Sequence, residues 1–202
     1  MFPFERKIVL PGETEIKAGD IIGFSGDSWI STLVNIATYG IPFWGLSHVG
    51  ILGHADNGRL MLFESTQLDG LPCEISGEVF LGTQAHELEH VVSVYKGKVW
   101  HYPLYRPLYP TEDERLTEFL MSTIHTPYDK LGALRSAGVG LSWIESLLHH
   151  DNLNSIYCSE WCCAAHTYIG VFRTDNVSRW NPNRFVRTER RTHVLRAPGR
   201  LK

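Results

Sequence analysis

The chain has 202 residues, 43% of them apolar, which is enough for one domain with a real core and ordinary for a soluble globular protein. No apolar run approaches the ~20 residues that cross a bilayer, and Met1-Phe-Pro-Phe-Glu-Arg-Lys7 is followed by no sustained apolar stretch, so neither a membrane span nor a secretory leader is expected and a cytoplasmic location is. The net charge of −3 is mild but unevenly spread: residues 171–202 carry nine Lys/Arg against two acids, a balance of +7, while the first 170 carry ten basic side chains against twenty acidic ones, or −10. Such a tail either meets an anionic partner or lies on the chain's own acidic body. The second account is favoured because its arginines are spaced among Phe185, Val186, Val194 and Leu195 instead of forming a dense block.

In chain order, Lys17-Ala-Gly-Asp20 is a turn leading into a strand over Ile21–Phe24. Ser25-Gly-Asp-Ser28 is rich in capping residues, and from Trp29 the apolar Ile30, Leu33, Val34 and Ala37 recur at helical spacing until Gly40-Ile41-Pro42. Phe43, Trp44 and Leu46 lead to a β-prone run beginning at His48. The aromatics are expected in the core, with a substrate groove before His48 as the other use. His54-Ala-Asp-Asn-Gly58 signals a hairpin whose returning strand runs from Arg59 to Ser65. Val91–Tyr95 and Val99–Leu104 read as further strands around Lys96-Gly97-Lys98. Thr111-Glu-Asp-Glu114 reads as a capping box opening a helix to about His125, which Thr126-Pro-Tyr-Asp129 ends. Trp143–Leu148 is a second helical stretch, and Trp161–Gly170 a buried one. Strands come first and helices later, an α+β order within a single domain over residues 1–202.

Of the four cysteines, Cys73, Cys158, Cys162 and Cys163, three fall on one expected helix, too few and too clustered for a disulfide framework. Cys162 and Cys163 read as plain core. Cys158 differs: it follows the polar stretch Asp151–Ser155 and opens the helix, where the positive end of the helix dipole favours a nucleophilic thiolate. His48 could supply the base. A geometric test is available in the hairpin. If Asp56-Asn57-Gly58 is a three-residue loop with Gly58 in the bulge position, Ala55 faces Arg59, Gly50 faces Glu64 and His48 faces Thr66. His48 and Glu64 are then diagonal neighbours on one face, somewhat under ~7–8 Å apart at Cβ, close enough for a carboxylate to orient the imidazole. A two-residue Asn-Gly turn would instead put Glu64 on the wrong face.

These residues resemble a known family. Lys17-Ala-Gly-Asp-Ile-Ile22, Ser47-His-Val-Gly-Ile51, Phe63-Glu64-Ser65, Thr126-Pro-Tyr-Asp129, Cys158-Ser-Glu160 and Asn181-Pro-Asn-Arg-Phe185 look like hallmarks of the circularly permuted papain-like branch of the NlpC-type amidohydrolase superfamily, of the YiiX kind. The resemblance spans residues 17 to 185. It implies a barrel-like antiparallel sheet packed on a helix that begins with the nucleophile. It further implies Cys158 as nucleophile, His48 as base, Glu64 as orienting acid and Tyr128 near the oxyanion or substrate. A peptide or acyl-amide substrate is implied, with no cofactor, and cell-wall peptide falls in that class. Two departures stand out: Trp161-Cys162-Cys163 follows where the family has aliphatic residues, and the stretch around His86–His90 looks like an insertion.

Other constellations compete. His86-Glu87-Leu88-Glu89-His90 matches H-E-x-x-H, which on one helix would bind zinc with Glu87 as base. The strand-like Val91–Tyr95 leaves little room for that helix, so a solvated polar face is expected there. Cys158, Cys162 and His166 lie at i, i+4 and i+8, but ~12 Å along a helix axis is too far for one ion. Gly138-Val-Gly140 lacks the strand–helix context of a phosphate loop, and no nucleic-acid module is recognisable beyond the basic tail. The main expectation is a thiol hydrolase of amide bonds. The rivals are a non-catalytic binding or structural module on the same shell and, less favoured, a zinc hydrolase.

Overall fold

The computed structural model describes residues 15–26, 45–66, 71–126, 157–175 and 180–202. The helix expected from Trp29, the aromatics Phe43 and Trp44, Tyr128, Gly138-Val-Gly140 and the Trp143–Leu148 stretch lie outside them. Among the described residues the chain forms six strands and four helices. They are β1 (Ile21–Gly26), β2 (His48–His54), β3 (Leu60–Thr66), β4 (Gly82–His86), α1 (Leu88–Val94), β5 (Gly97–Tyr102), α2 (Pro110–Thr123), α3 (Tyr157–Tyr168), α4 (Pro182–Arg191) and β6 (Gly199–Arg200). The strands make one antiparallel sheet in the order β4-β3-β2-β1-β5-β6. It is an α+β fold. The sheet is open, with β4 and β6 at its edges, and not closed into the barrel-like form expected.

Alternation along the strands sends apolar side chains to both faces, so the sheet is covered on each. Ile21, Val49, Ile51, Met61, Phe63, Ala85 and Tyr102 join one cluster with Leu116, Phe119 and Leu120 of α2, Trp161 and Cys162 of α3, and Phe185 of α4. Ile22, Phe24, Leu52, Leu62 and Val99 pack with Leu88 and Val91 of α1 and with Ile16. At Gly53 a Cβ would stand 2.2 Å from Leu120 Cδ1, so the bare backbone is what lets α2 lie against β2.

Two local expectations are corrected. Val91–Tyr95 was expected as a strand on its β-branched residues, yet Val91–Val94 are helical. Leu88 and Val91, three apart, share one helix face and bury it on the sheet, and that burial outweighs the mild β preference of valine. The capping box at Thr111 is displaced by two residues. α2 starts with Pro110 at its first turn, and the Glu112 carboxylate reaches back to the Tyr109 N–H at 2.8 Å.

The tail contains a helix that the pattern reading did not find. Asn181 caps α4, accepting from the Arg184 N–H at 2.9 Å, and Pro182 fills the first turn. Phe185, Val186 and Glu189 face inward while Arg184, Arg187, Arg190 and Arg191 stay exposed. Beyond it, Lys202 Nζ donates to the carbonyls of Val92, Ser93 and Tyr95 at 3.0, 2.9 and 2.7 Å, which neutralises the carbonyl end of α1.

Candidate active site

The β2–β3 hairpin sets the site's geometry. Gly58 takes φ +76° and its N–H bonds the Ala55 carbonyl at 2.8 Å, while the Ala55 N–H bonds the Arg59 carbonyl at 3.0 Å. This is the three-residue loop with a left-handed glycine. The ladder runs from His54 opposite Leu60 to Ile51 opposite Phe63. Continued, the register places Gly50 opposite Glu64. A Cβ at Gly50 would lie 3.3 Å from Glu64 Cβ, 2.9 Å from the Phe63 carbonyl oxygen and 2.7 Å from Leu62 Cδ1, so glycine leaves room for Glu64 to come close. Past Ile51, β2 stays paired with β1 as far as His48, and β3 with β4 as far as Thr66. His48 and Glu64 both lie in this region beyond the ladder's end.

There the diagonal pair meets. His48 Nε2–H donates to Glu64 Oε2 at 2.6 Å. The other ring nitrogen, Nδ1, is left for the Cys158 thiol, which hydrogen-bonds the His48 side chain. Cys158 is in the first turn of α3 and only 3% exposed. Burial disfavours the imidazolium. The charge and hydrogen bond of the Cys158 sulfur, with those of Glu64, outweigh it and push His48 up to about 10. Burial likewise opposes the Glu64 carboxylate, but its hydrogen bonds to His48 and His86 hold it down at about 2. The Glu64 carboxylate thus holds one side of the His48 ring, and the Cys158 sulfur meets the other.

The described structure joins Cys158, His48 and Glu64; the fourth expected residue, Tyr128, lies outside it. It also brings in residues that the sequence reading did not assign to the site. His86 is 3% exposed, and its Nδ1–H donates to Glu64 Oε1 at 3.0 Å, so each carboxylate oxygen holds one histidine. Asn183 of α4 clamps Leu46, two residues before His48, accepting from its N–H at 2.7 Å and donating to its carbonyl at 3.0 Å. Ser159, next to the cysteine, donates to the Trp180 carbonyl just ahead of α4. The tail helix therefore braces both arms of the site. The only hint of this in the sequence was the Asn181–Phe185 motif, which carries no pattern that names a partner.

The H-E-x-x-H reading is corrected. His86 ends β4, Glu87 caps α1 in extended conformation and His90 is exposed on α1, so the two histidines share no helix face. Nor is the segment wholly a solvated face, since His86 is buried. Among the described residues no group of three or more His, Cys, Asp or Glu is placed to hold a metal ion. Cys162 and Cys163 are fully buried, and burial pushes both thiols well above the ordinary range, as suits core residues. Glu160, in the first turn of α3, is pushed up to about 7 by burial.

The fold and site define an α+β protein with a Cys–His–Glu chain at a helix start. No family model matches the chain, and no curated protein does. Among solved structures it is similar to the crystal structure of metalloprotein yiiX from Escherichia coli O157:H7, DUF1105, at 19% identity and a TM-score of 0.48, over 78% of this chain and 68% of that one.

Proposed function

We propose that the chain is a cysteine hydrolase acting on amide-type carbonyls through Cys158, His48 and Glu64. The observation that carries this reading is the continuous hydrogen-bonded line from the Glu64 carboxylate through the His48 ring to the Cys158 sulfur. The reacting pair forms as the thiol proton of Cys158 passes to the His48 ring. The thiolate attacks the carbonyl carbon, the S–C bond forms, and the oxyanion faces the backbone N–H of Cys158 at the start of α3. His48 passes its proton to the leaving nitrogen as the C–N bond breaks, leaving a thioester. Water, deprotonated by His48, then releases the acid and regenerates the thiol. Glu64 keeps the ring turned toward sulfur and offsets its positive charge. The resemblance to the permuted papain-like amidohydrolases supports the substrate class, a peptide or acyl amide, and leaves Tyr128 as a proposed neighbour of the oxyanion.

An electrophilic acyl probe followed by peptide mapping tests this. Labelling is expected at Cys158, abolished in Cys158→Ala and cut by at least about a hundredfold in His48→Ala, the scale of a lost general base, with circular dichroism unchanged. Turnover or probe labelling that persists in Cys158→Ala rejects the mechanism.

A further inference from the structure

We infer that His86 is a fourth, positioning member of this site: by binding the far oxygen of Glu64 it fixes the carboxylate that aims His48 at Cys158. The inference rests on the proposed thiol chemistry and extends it to a residue outside the triad.

The geometry follows from three adjacent strands. Glu64 of β3 sits opposite Gln84 of β4, so His86, two residues on, is its diagonal neighbour on one side, as His48 of β2 is on the other. Each histidine takes a different oxygen, His48 at 2.6 Å and His86 at 3.0 Å. A carboxylate held at one oxygen still turns about its terminal bond. One held at both has its plane set. Carboxylate oxygens only accept here, so the proton of His86 that matters is on Nδ1. Its other ring atom, Nε2, is buried with no hydrogen-bond partner among the described residues. Burying an imidazole with one nitrogen unpaired is costly, and the bond to Glu64 is what His86 contributes in return. The other charged groups nearby face away from this bond: Glu87 pairs with Arg59, both about half exposed, and His90 is exposed. Among the described residues, the groups near Glu64 are His48, Gln84 and His86 from the sheet and Cys162 of α3, with Cys158 beyond His48.

The test is the rate at which iodoacetamide alkylates Cys158, followed from pH 5 to 11 by peptide mapping, in His86→Leu, His86→Asn and His86→Gln. An asparagine amide can place an N–H where Nδ1 stands; glutamine places it one bond farther out. His86→Leu and His86→Gln are expected to slow neutral-pH alkylation by about tenfold, the equivalent of one charge-assisted hydrogen bond. In both, the high-pH inflection, where His48 gives up its proton, moves downward. His86→Asn keeps most of the rate and the original inflection. If His86→Leu fails to fold, the Asn and Gln pair still decides the matter, because the two differ mainly in the placement of the donor. Rates and inflections equal to wild type in the Gln variant overturn the inference. His48→Ala, run alongside, separates the two levels: if it leaves Cys158 alkylation unchanged, the thiol chemistry itself fails. If it suppresses alkylation while all His86 variants match wild type, only the role of His86 does.

Discussion

At His48 two opposing effects are large, and their balance sets the pH range of the proposed chemistry. Burial alone would strip the proton from the ring; the sulfur on one side and Glu64 on the other hold it to about 10. A histidine raised this way contributes stability that is complete below its unfolded value near 6.5 and is lost as pH rises through about 10. Glu64, lowered, contributes stability complete above about 4.5 and lost as pH falls through about 2. The alkaline limb of kcat/KM is therefore expected near about 10. Glu64→Gln removes a charge that favours the imidazolium, so this limb moves to lower pH, which a pH–rate profile reads directly. Glu160 gives a prediction of the opposite kind. Its carboxyl is raised to about 7 by burial, so its ionisation costs stability as pH rises from 4.5 through 7. Glu160→Gln is expected to raise the melting temperature above pH 7 and to leave it nearly unchanged at pH 4, with a gain of about 3 kcal/mol at most.

The hairpin is the element on which the site turns, and it was also the most legible part of the chain. Ala55–Arg59 permits two loop lengths, and the backbone bond from Ala55 N–H to the Arg59 carbonyl, with Gly58 left-handed and Asn57 not, is that of the one that puts Glu64 beside His48. Gly50→Ala tests that element. Its added Cβ would meet the Phe63 carbonyl, which as backbone cannot rotate away, so β3 must shift. A loss of about 1–3 kcal/mol in denaturant unfolding is expected, together with slower alkylation of Cys158 as Glu64 moves. Elsewhere the local pattern was a poorer guide, for identifiable reasons. Val91–Val94 look like a strand until the sheet face that Leu88 and Val91 cover is known. β4, Gly-Thr-Gln-Ala-His, has little β-branched character, and it pairs because β3 offers it a free edge. His86 was unreadable as part of the site for that reason: only β4's register brings it to Glu64. In α4 the Asn181-Pro182 start signal was present, but arginines at every turn hid the narrow apolar face of Phe185 and Val186.

Across the whole molecule, the layers are tied by buried histidine–carboxylate pairs as well as by apolar packing. Asp20 accepts from His101 at 2.7 Å and from the Leu104 N–H at 2.8 Å, joining the turn before β1 to the end of β5. His166, wholly buried on α3, donates through Nδ1 to Glu189 of α4 at 2.8 Å and through Nε2 to the Gly19 carbonyl at 2.8 Å. The Gly19 carbonyl can only accept, so Nε2 carries a proton; with Glu189 ionised, Nδ1 carries the second and the ring is cationic, although burial raises the Glu189 carboxyl against the pull of His166. Burial opposes that charge, yet Glu189 and the Gly19 carbonyl more than offset it and hold His166 above the usual histidine range. The resulting stability is complete below pH 6.5 and declines as pH rises through the raised value. Because α4 also carries Asn183, which holds Leu46 ahead of His48, loosening this tie reaches the candidate site through the backbone. His166→Leu leaves Glu189 buried and unpaired and is expected to cost about 3–5 kcal/mol. Pairing it with Glu189→Leu removes the stranded charge and recovers most of that loss, so a double-mutant cycle by chemical denaturation shows strong coupling. In the double variant the alkaline decline that His166 contributes disappears, while the part due to His48 near about 10 remains. A cycle that closes additively, or an unchanged alkaline decline, would show that the pair is not what holds α3, α4 and the turn before β1 together.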